Sequence, residues 1–254
     1  MKNIYYFSKK EFLESWRTSR LLILMIIFLI LGIMNPLIAI LTPDIIQMSF
    51  GDSLPVNIPE PTSLDSWGQF YQNMTQMGLI VITLLFSGTM SGEVSKGTLI
   101  NLVTKGLKRS TVVISKSIYL ILQWSFCMLL AFFVTWAYTL YYFTDDNSPH
   151  VFLAVFPLWI FGILLITTIL LTSTVSKNSY EGLLLTGGFV VLLFVMNIFD
   201  KFERYNPITL TSENINFLQG ASNIGNYMPA MLISFFLSLL FIYLSIVILN
   251  KKKL

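Results

Sequence analysis

Six apolar runs punctuate the chain, at residues 21–41, about 70–91, 118–143, 151–175, 182–199 and 230–249. A helix needs about 20 such residues to cross a bilayer, so the pattern predicts an all-α membrane protein with six transmembrane helices. Residues 1–20 form a preceding element. As a helix they place Tyr5, Phe12, Leu13 and Trp16 near one face, among Lys2, Lys9, Lys10, Arg17 and Arg20. That is the pattern of an interfacial helix lying on the membrane, with Lys9 close enough to the apolar stripe to snorkel. The run that follows is too long for a cleaved signal peptide, and no small-residue cleavage site comes after it.

The polar stretches carry their own signals. Asn35-Pro36 sits inside the first run and predicts a kink, because proline frees a carbonyl that must find another partner. Residues 42–69, with Asp44, Asp52, Glu60, Asp65 and three prolines from Pro55 to Pro61, read as a loop of limited regular structure. Gly88-Thr-Met-Ser-Gly92 has a spacing that permits close helix contact. Residues 200–229 read either as a broken helix at the membrane interface, flanked by Phe217 and Tyr227, or as an ordinary surface loop. Residues 250–254 are a short basic tail.

Composition adds the class and charge adds the sides. The chain is 55% hydrophobic and 11% charged, more apolar surface than a soluble domain of this size hides. The net charge of +3 does not point to nucleic acid, since the basic residues cluster by loop. Five precede the first run, five lie between the second and third, one is Lys177 and three are in the tail, leaving only Lys201 and Arg204 for the other side. Retained loops on the cytoplasmic side are rich in Lys and Arg. Both termini are therefore expected in the cytoplasm of a multi-pass protein of the plasma membrane.

Much chemistry is absent from the sequence. The interiors of the six runs hold no ionisable side chain of the kind that proton- or ion-coupled transporters use. His150, the lone histidine, lies in a loop, and Cys127 falls inside an apolar run. No HExxH, CxxC or cluster of metal ligands is present, and no GxxxxGK[ST] that would cradle nucleotide phosphates. No cofactor is expected on this chain, no enzymatic activity, and any energy input comes from elsewhere.

The largest polar break is Glu93–Lys116, EVSKGTLINLVTKGLKRSTVVISK. Thr98 can cap a short helix on which Leu99, Leu102 and Val103 share a face at i, i+3, i+4 spacing. Lys105 suits its C-terminus, Gly106 its left-handed stop, and Ser110 the cap of the next helix. Such a short helix should dock its leucines against something, either a partner or the membrane and the bundle's own base.

Glu93, then Gly97-Thr98-Leu99, then Arg109 and Lys116 with a new span just beyond, resembles the loop between the second and third helices of ABC-2 type permeases, the membrane subunits of many bacterial ABC exporters. The likeness extends over nearly the whole chain. It departs at Gly106-Leu107-Lys108-Arg109, where the family carries a proline and a serine. The resemblance implies a coupling helix that contacts a separate ATP-binding cassette subunit, which holds ATP and magnesium. Its contact residues would be Glu93, Gly97, Thr98, Leu99, Leu102, Val103, Lys105 and Arg109, with Leu99, Leu102 and Val103 as the inserted knob. Glu93 would pair with Lys96 or Arg109. It further implies a second permease subunit, identical or related, and a path at their interface that includes Asn35 and Asn197. An aromatic lining would suit an amphipathic or hydrophobic cargo such as a peptide, drug or lipid-linked molecule. The competing reading is a non-transporting scaffold or sensor that recruits a cytoplasmic protein through residues 93–116.

Overall fold

The computed structural model describes residues 2–50, 60–95, 97–99, 104, 106–145, 148, 150–212, 214–220 and 224–252. Among them there is no strand. The helices are α1 (Lys2–Arg17), α2 (Arg20–Phe50), α3 (Ser63–Asn73), α4 (Leu79–Phe86), α5 (Ser91–Ser95), α6 (Arg109–Tyr142), α7 (Val151–Val175), α8 (Ser179–Asn197), α9 (Asp200–Glu203), α10 (Asn214–Leu218) and α11 (Met228–Lys251). A π-turn at Met74–Gly78 joins α3 to α4, so that residues 63–95 act as one membrane-length unit. Six such units are long and apolar enough to cross a membrane, as the apolar runs predict.

Helix α7 is the centre of the bundle. Two-thirds of its apolar core (67%) is buried inside the chain, against 17% for α8 and 22% for α11. It packs on α4, α6, α8, α10 and α11. Gly162 of α7 makes room for the Trp124 indole of α6, which a Cβ would overlap. Trp124 Nε1 donates to the Trp159 carbonyl at 3.1 Å, and Trp159 Nε1 donates back to Ser125 Oγ at 2.9 Å. This reciprocal pair satisfies both indoles in an apolar setting, where an unpaired N–H is costly.

The proline in α2 does not break it. The helix continues through Pro36 and Pro43 to Phe50. The Gly32 carbonyl, which Pro36 deprives of its helical donor, accepts instead from Thr135 Oγ1 at 2.9 Å. Thr135 in turn receives Asn35 Nδ2 at 2.9 Å, and Asn73 Nδ2 donates to Asn35 Oδ1 at 2.8 Å. One polar ladder thus ties α2, α3 and α6. Gly32 permits the crossing: a Cβ there would lie 2.9 Å from the Ala131 carbonyl.

Two boundaries differ from the sequence reading. The described parts of the expected 42–69 loop are largely helical, since α2 runs on to Phe50 and α3 starts at Ser63, whose backbone and hydroxyl both donate to Asp145. Helix α6 begins at Arg109 rather than 118, and Ser110 lies inside it, so Lys108 is the cap position. Within residues 200–229, the stretch 200–205 is exposed but the described residues of 206–218 are not a plain surface loop. Pro207, Ile208, Thr209 and Leu210 are buried in a 3-10 turn, and Phe217 and Leu218 are buried in α10, against α7 and α3.

Candidate interaction site at the base of the bundle

The segments that carry most of the positive charge meet at one end. Arg109 Nη1 donates to the carbonyls of Leu249, Asn250 and Lys252 at 2.6, 3.1 and 2.8 Å, closing the open C-terminus of α11. Lys252 Nζ reaches the carbonyls of Thr174 and Ser176 at 2.9 and 3.1 Å, at the C-terminus of α7. Ser115 Oγ donates to the Ile4 carbonyl of α1 at 3.2 Å. The start of α1, the end of α11, the α7–α8 turn and the described residues of 93–116 therefore share one side of the bundle. Burial pulls the Lys252 ammonium below the ordinary lysine value, and the charge of Glu181 partly offsets this.

Helix α1 presents two faces. Phe7, Glu11 and Ser15 are buried, one helical turn apart, against the bundle. Tyr5, Phe12, Leu13 and Trp16 point away, between 45% and 66% exposed, and the Phe12 and Trp16 rings stack at 6.5 Å. The aromatic stripe is thus free for a lipid surface or a partner. What attaches the helix is the other face.

That attachment centres on a buried lysine. Lys116 of α6 is 3% exposed, and its Nζ lies 2.8 Å from Glu11 Oε2 and 2.9 Å from Glu93 Oε1. Lys10 Nζ joins them at 3.1 Å from Glu11 Oε1, 3.5 Å from Glu93 Oε1 and 2.8 Å from Glu14 Oε2. Burial alone would lower the Lys10 pKa; the hydrogen bond to Glu14 and the charges of Glu11 and Glu93 outweigh it and hold it above the ordinary lysine value. Glu14 is correspondingly held below the usual glutamate value, chiefly by the hydrogen bond from Lys10, with burial opposing. Carboxylate oxygens of Glu11, Glu14 and Glu93 come within 4.8 Å of one another. The two ammonium groups stand among them, so a metal ion would have to displace lysine.

A cavity of about 390 Å³ opens beside this network, between α1, the α4–α5 joint and α6. Gln123 lines it, 5% exposed, and its Nε2 has no hydrogen-bond partner among the described residues; the same holds for Glu93 Oε2.

Several expected site residues are placed otherwise than the sequence suggests. Leu99 is not a protruding knob: it is fully buried among Phe7, Met90, Val112, Val113, Leu170 and Leu249. The cause is upstream. Ser173 Oγ of α7 accepts from the backbone N–H groups of Met90 and Ser91 at 2.9 and 3.1 Å, pinning the start of α5. Gly97, at φ +67°, then turns the chain so that Leu99 faces inward. Thr98 is exposed and its hydroxyl donates to the Glu93 carbonyl at 3.1 Å. Gly106 does take the left-handed conformation, at φ +87°. Glu93 pairs with Lys116 and Lys10 rather than with Arg109, which is engaged at α11. Lys96, Leu102, Val103 and Lys105 lie outside the described residues. Asn35 is fully buried in the polar ladder, while Asn197 accepts from Asn206 Nδ2 at 3.1 Å beside the 3-10 turn. In the Gly88–Gly92 spacing only Gly88 is at a close contact, with Ser179; Gly92 has open space.

Sequence reasoning missed Glu11 and Lys116 as a pair. A glutamate on the face of α1 opposite its aromatic stripe was the available signal, but its partner lies 105 residues away.

A family model described as ABC-2 family transporter protein matches residues 5–254. No curated protein matches the chain.

Proposed function

We propose that this chain, which belongs to the ABC-2 transporter family, exports an amphipathic or hydrophobic cargo such as a peptide, drug or lipid-linked molecule, with residues 93–116 as the element that receives work from an ATPase. The chain is a multi-pass membrane protein and the permease subunit of an ABC transporter, a family role that implies association with an ATPase subunit. ATP and magnesium would be held by that ATPase, and this chain would itself hydrolyse nothing. A second permease, identical or related, would complete the complex. The protein would sit in the plasma membrane, and the base would face the cytoplasm, an orientation that its Lys and Arg distribution supports.

The carrying observation is the physical continuity of the base. Residues 97–99 are clamped to α1, α6, α7 and α11 through Leu99, and Glu93 is bonded through Lys116 to both α1 and α6. A push on the exposed points Thr98, Thr104 and Lys108 is then passed to the membrane helices as a unit. Leu99 acts as the inward anchor of the contact, not as its outer surface. The exposed stripe of α1 supplies a further contact with lipid headgroups or with the ATPase.

The test is co-purification of the chain with ATP-binding cassette proteins from its host cell, followed by ATPase assays in liposomes. Charge reversal at Lys108 (Lys108→Glu) is expected to weaken the complex. Leu99→Asp is expected to leave a complex whose hydrolysis no longer drives transport. Stable turnover-coupled transport with Leu99→Asp refutes the anchor assignment, and failure of any ATPase to associate favours the scaffold reading.

A further inference from the structure

At the end of the bundle opposite the base, α2, α3, Thr211, Ser212, Asn214, Ile215 and Gln219 line an open cavity of about 860 Å³, within the range of small-ligand sites. Its wall on α3 is unusual for a membrane-length unit. Gln69, Gln72 and Gln76 follow Asp65 at spacings of four, three and four residues, so all of them share one helical face. Three amides along one lipid-facing stripe would be costly, and polar side chains within membrane-length helices commonly mark paths and binding sites. The π-turn Met74–Gly78 falls on this wall and brings Thr75 and Gln76 to the cavity; single π-turns within helices recur at functional sites. Thr42 of α2 and Ser212 and Gln219 close the opposite side.

Beneath this wall the Tyr71 hydroxyl, Thr75 Oγ1 and Asn214 Oδ1 have no partner among the described residues and are closed off from the cavity, so a ligand meets the glutamine amides and the carboxylates instead. Charge narrows what that ligand can be. Glu60 and Asp65 line the cavity, and no Lys, Arg or His does so among the described residues. Such a wall accepts cations and rejects phosphates and carboxylates. Glutamine amides offer donor and acceptor together, the complement of a peptide bond, while Ile46, Leu64 and Ile215 supply apolar contact.

We propose that this outer cavity binds a basic amphipathic peptide, its cationic groups towards Glu60 and Asp65 and its backbone amides on the glutamine stripe. That the peptide is cargo rests on the permease reading; that it binds does not. The protein in nanodiscs of zwitterionic phosphatidylcholine, without any ATPase, is titrated calorimetrically with the capped peptides acetyl-Lys-Phe-Lys-amide and acetyl-Glu-Phe-Glu-amide, with empty nanodiscs subtracted. The basic peptide is expected to bind saturably and the acidic one not to bind. Gln72→Leu with Gln76→Leu, both exposed positions that leave the core intact, is expected to weaken binding by about tenfold, the loss of one to two net hydrogen bonds. Glu60→Gln is expected to reduce its salt dependence. Equal binding of the two peptides, no binding of either, or unchanged binding by the double-leucine variant at wild-type melting temperature overturns the proposal. Stimulation of ATP hydrolysis in the full complex is read separately and decides only whether the ligand is cargo.

Discussion

Replacing Lys116 by methionine isolates what the buried charge network contributes. The substitution keeps most of the side-chain volume and removes the ammonium that bridges Glu11 and Glu93 at 2.8 and 2.9 Å. Breaking a buried ion pair by removing one partner costs about 3–5 kcal/mol, because the other charge stays behind undercompensated. Lys10 remains within 3.1 and 3.5 Å of the same two carboxylates, and its partial exposure puts the expected loss near the lower bound, about 3 kcal/mol. For a chain of this size that corresponds to a fall in melting temperature of about 6–12 °C. Cys127 is the only cysteine and is 1% exposed, so thiol labelling by a maleimide dye during heating reports unfolding without an added probe. The charge-balanced variant Lys116→Met with Glu11→Gln and Glu93→Gln is expected to recover most of the loss, since it leaves no carboxylate of that trio unpaired. A Lys116→Met protein that melts with the wild type refutes the view that this network holds α1 to α6. So does a balanced variant that is no better than the single one.

Three further outcomes are expected. Gly162→Ala places a methyl where the Trp124 indole lies, and overpacking there should cost about 1–3 kcal/mol; the same labelling assay reads it, and Trp124→Phe in the Gly162→Ala background should recover part of the loss. Thr135→Val strands both the Gly32 carbonyl that Pro36 freed and the Asn35 amide, at about 1–3 kcal/mol, whereas Thr135→Ser keeps the hydroxyl and should melt near wild type. The Lys10–Glu14 pair, which joins successive turns of α1, should weaken at both pH extremes and loosen that helix locally. Glu14 is held below its ordinary value of 4.5, so its contribution is complete above that pH and disappears as pH falls through the lowered value. Lys10 is held above its ordinary 10.5, so its contribution is complete below that pH and is lost only as pH rises beyond it. A spin label on Leu13→Cys in a Cys127→Ser background should therefore gain mobility in acid below about pH 4.5 and stay unchanged through neutrality; constant mobility down to pH 3 contradicts the assignment.

What the sequence by itself determined were the features set by period and composition. Six apolar runs, the amphipathic α1 and the left-handed glycines Gly97 and Gly106 depend on near neighbours in the chain, and the structure has each of them. The proline in α2 was legible only halfway: a carbonyl had to find a new partner, but nothing local said that Thr135, more than a hundred residues on, would provide it. The site divides along the same line. Leu99 and its neighbours read as an outward knob because helical spacing gives faces but not directions. The direction was decided by Ser173 pinning α5 and by the cluster of Phe7, Val113 and Leu249 that meets Leu99. Glu11, Glu93 and Lys116 look like ordinary surface charges in a linear reading. They form a buried network only because α1 folds back under the bundle, and a charge is kept in such a place when three distant segments supply its counterions at once. The glutamine stripe likewise gains its meaning from α2 and from Thr211, Ser212, Asn214, Ile215 and Gln219, which turn a polar helix face into a wall. Burial is a property of the whole packed chain, and it is burial that turned these residues from surface chemistry into structure and site.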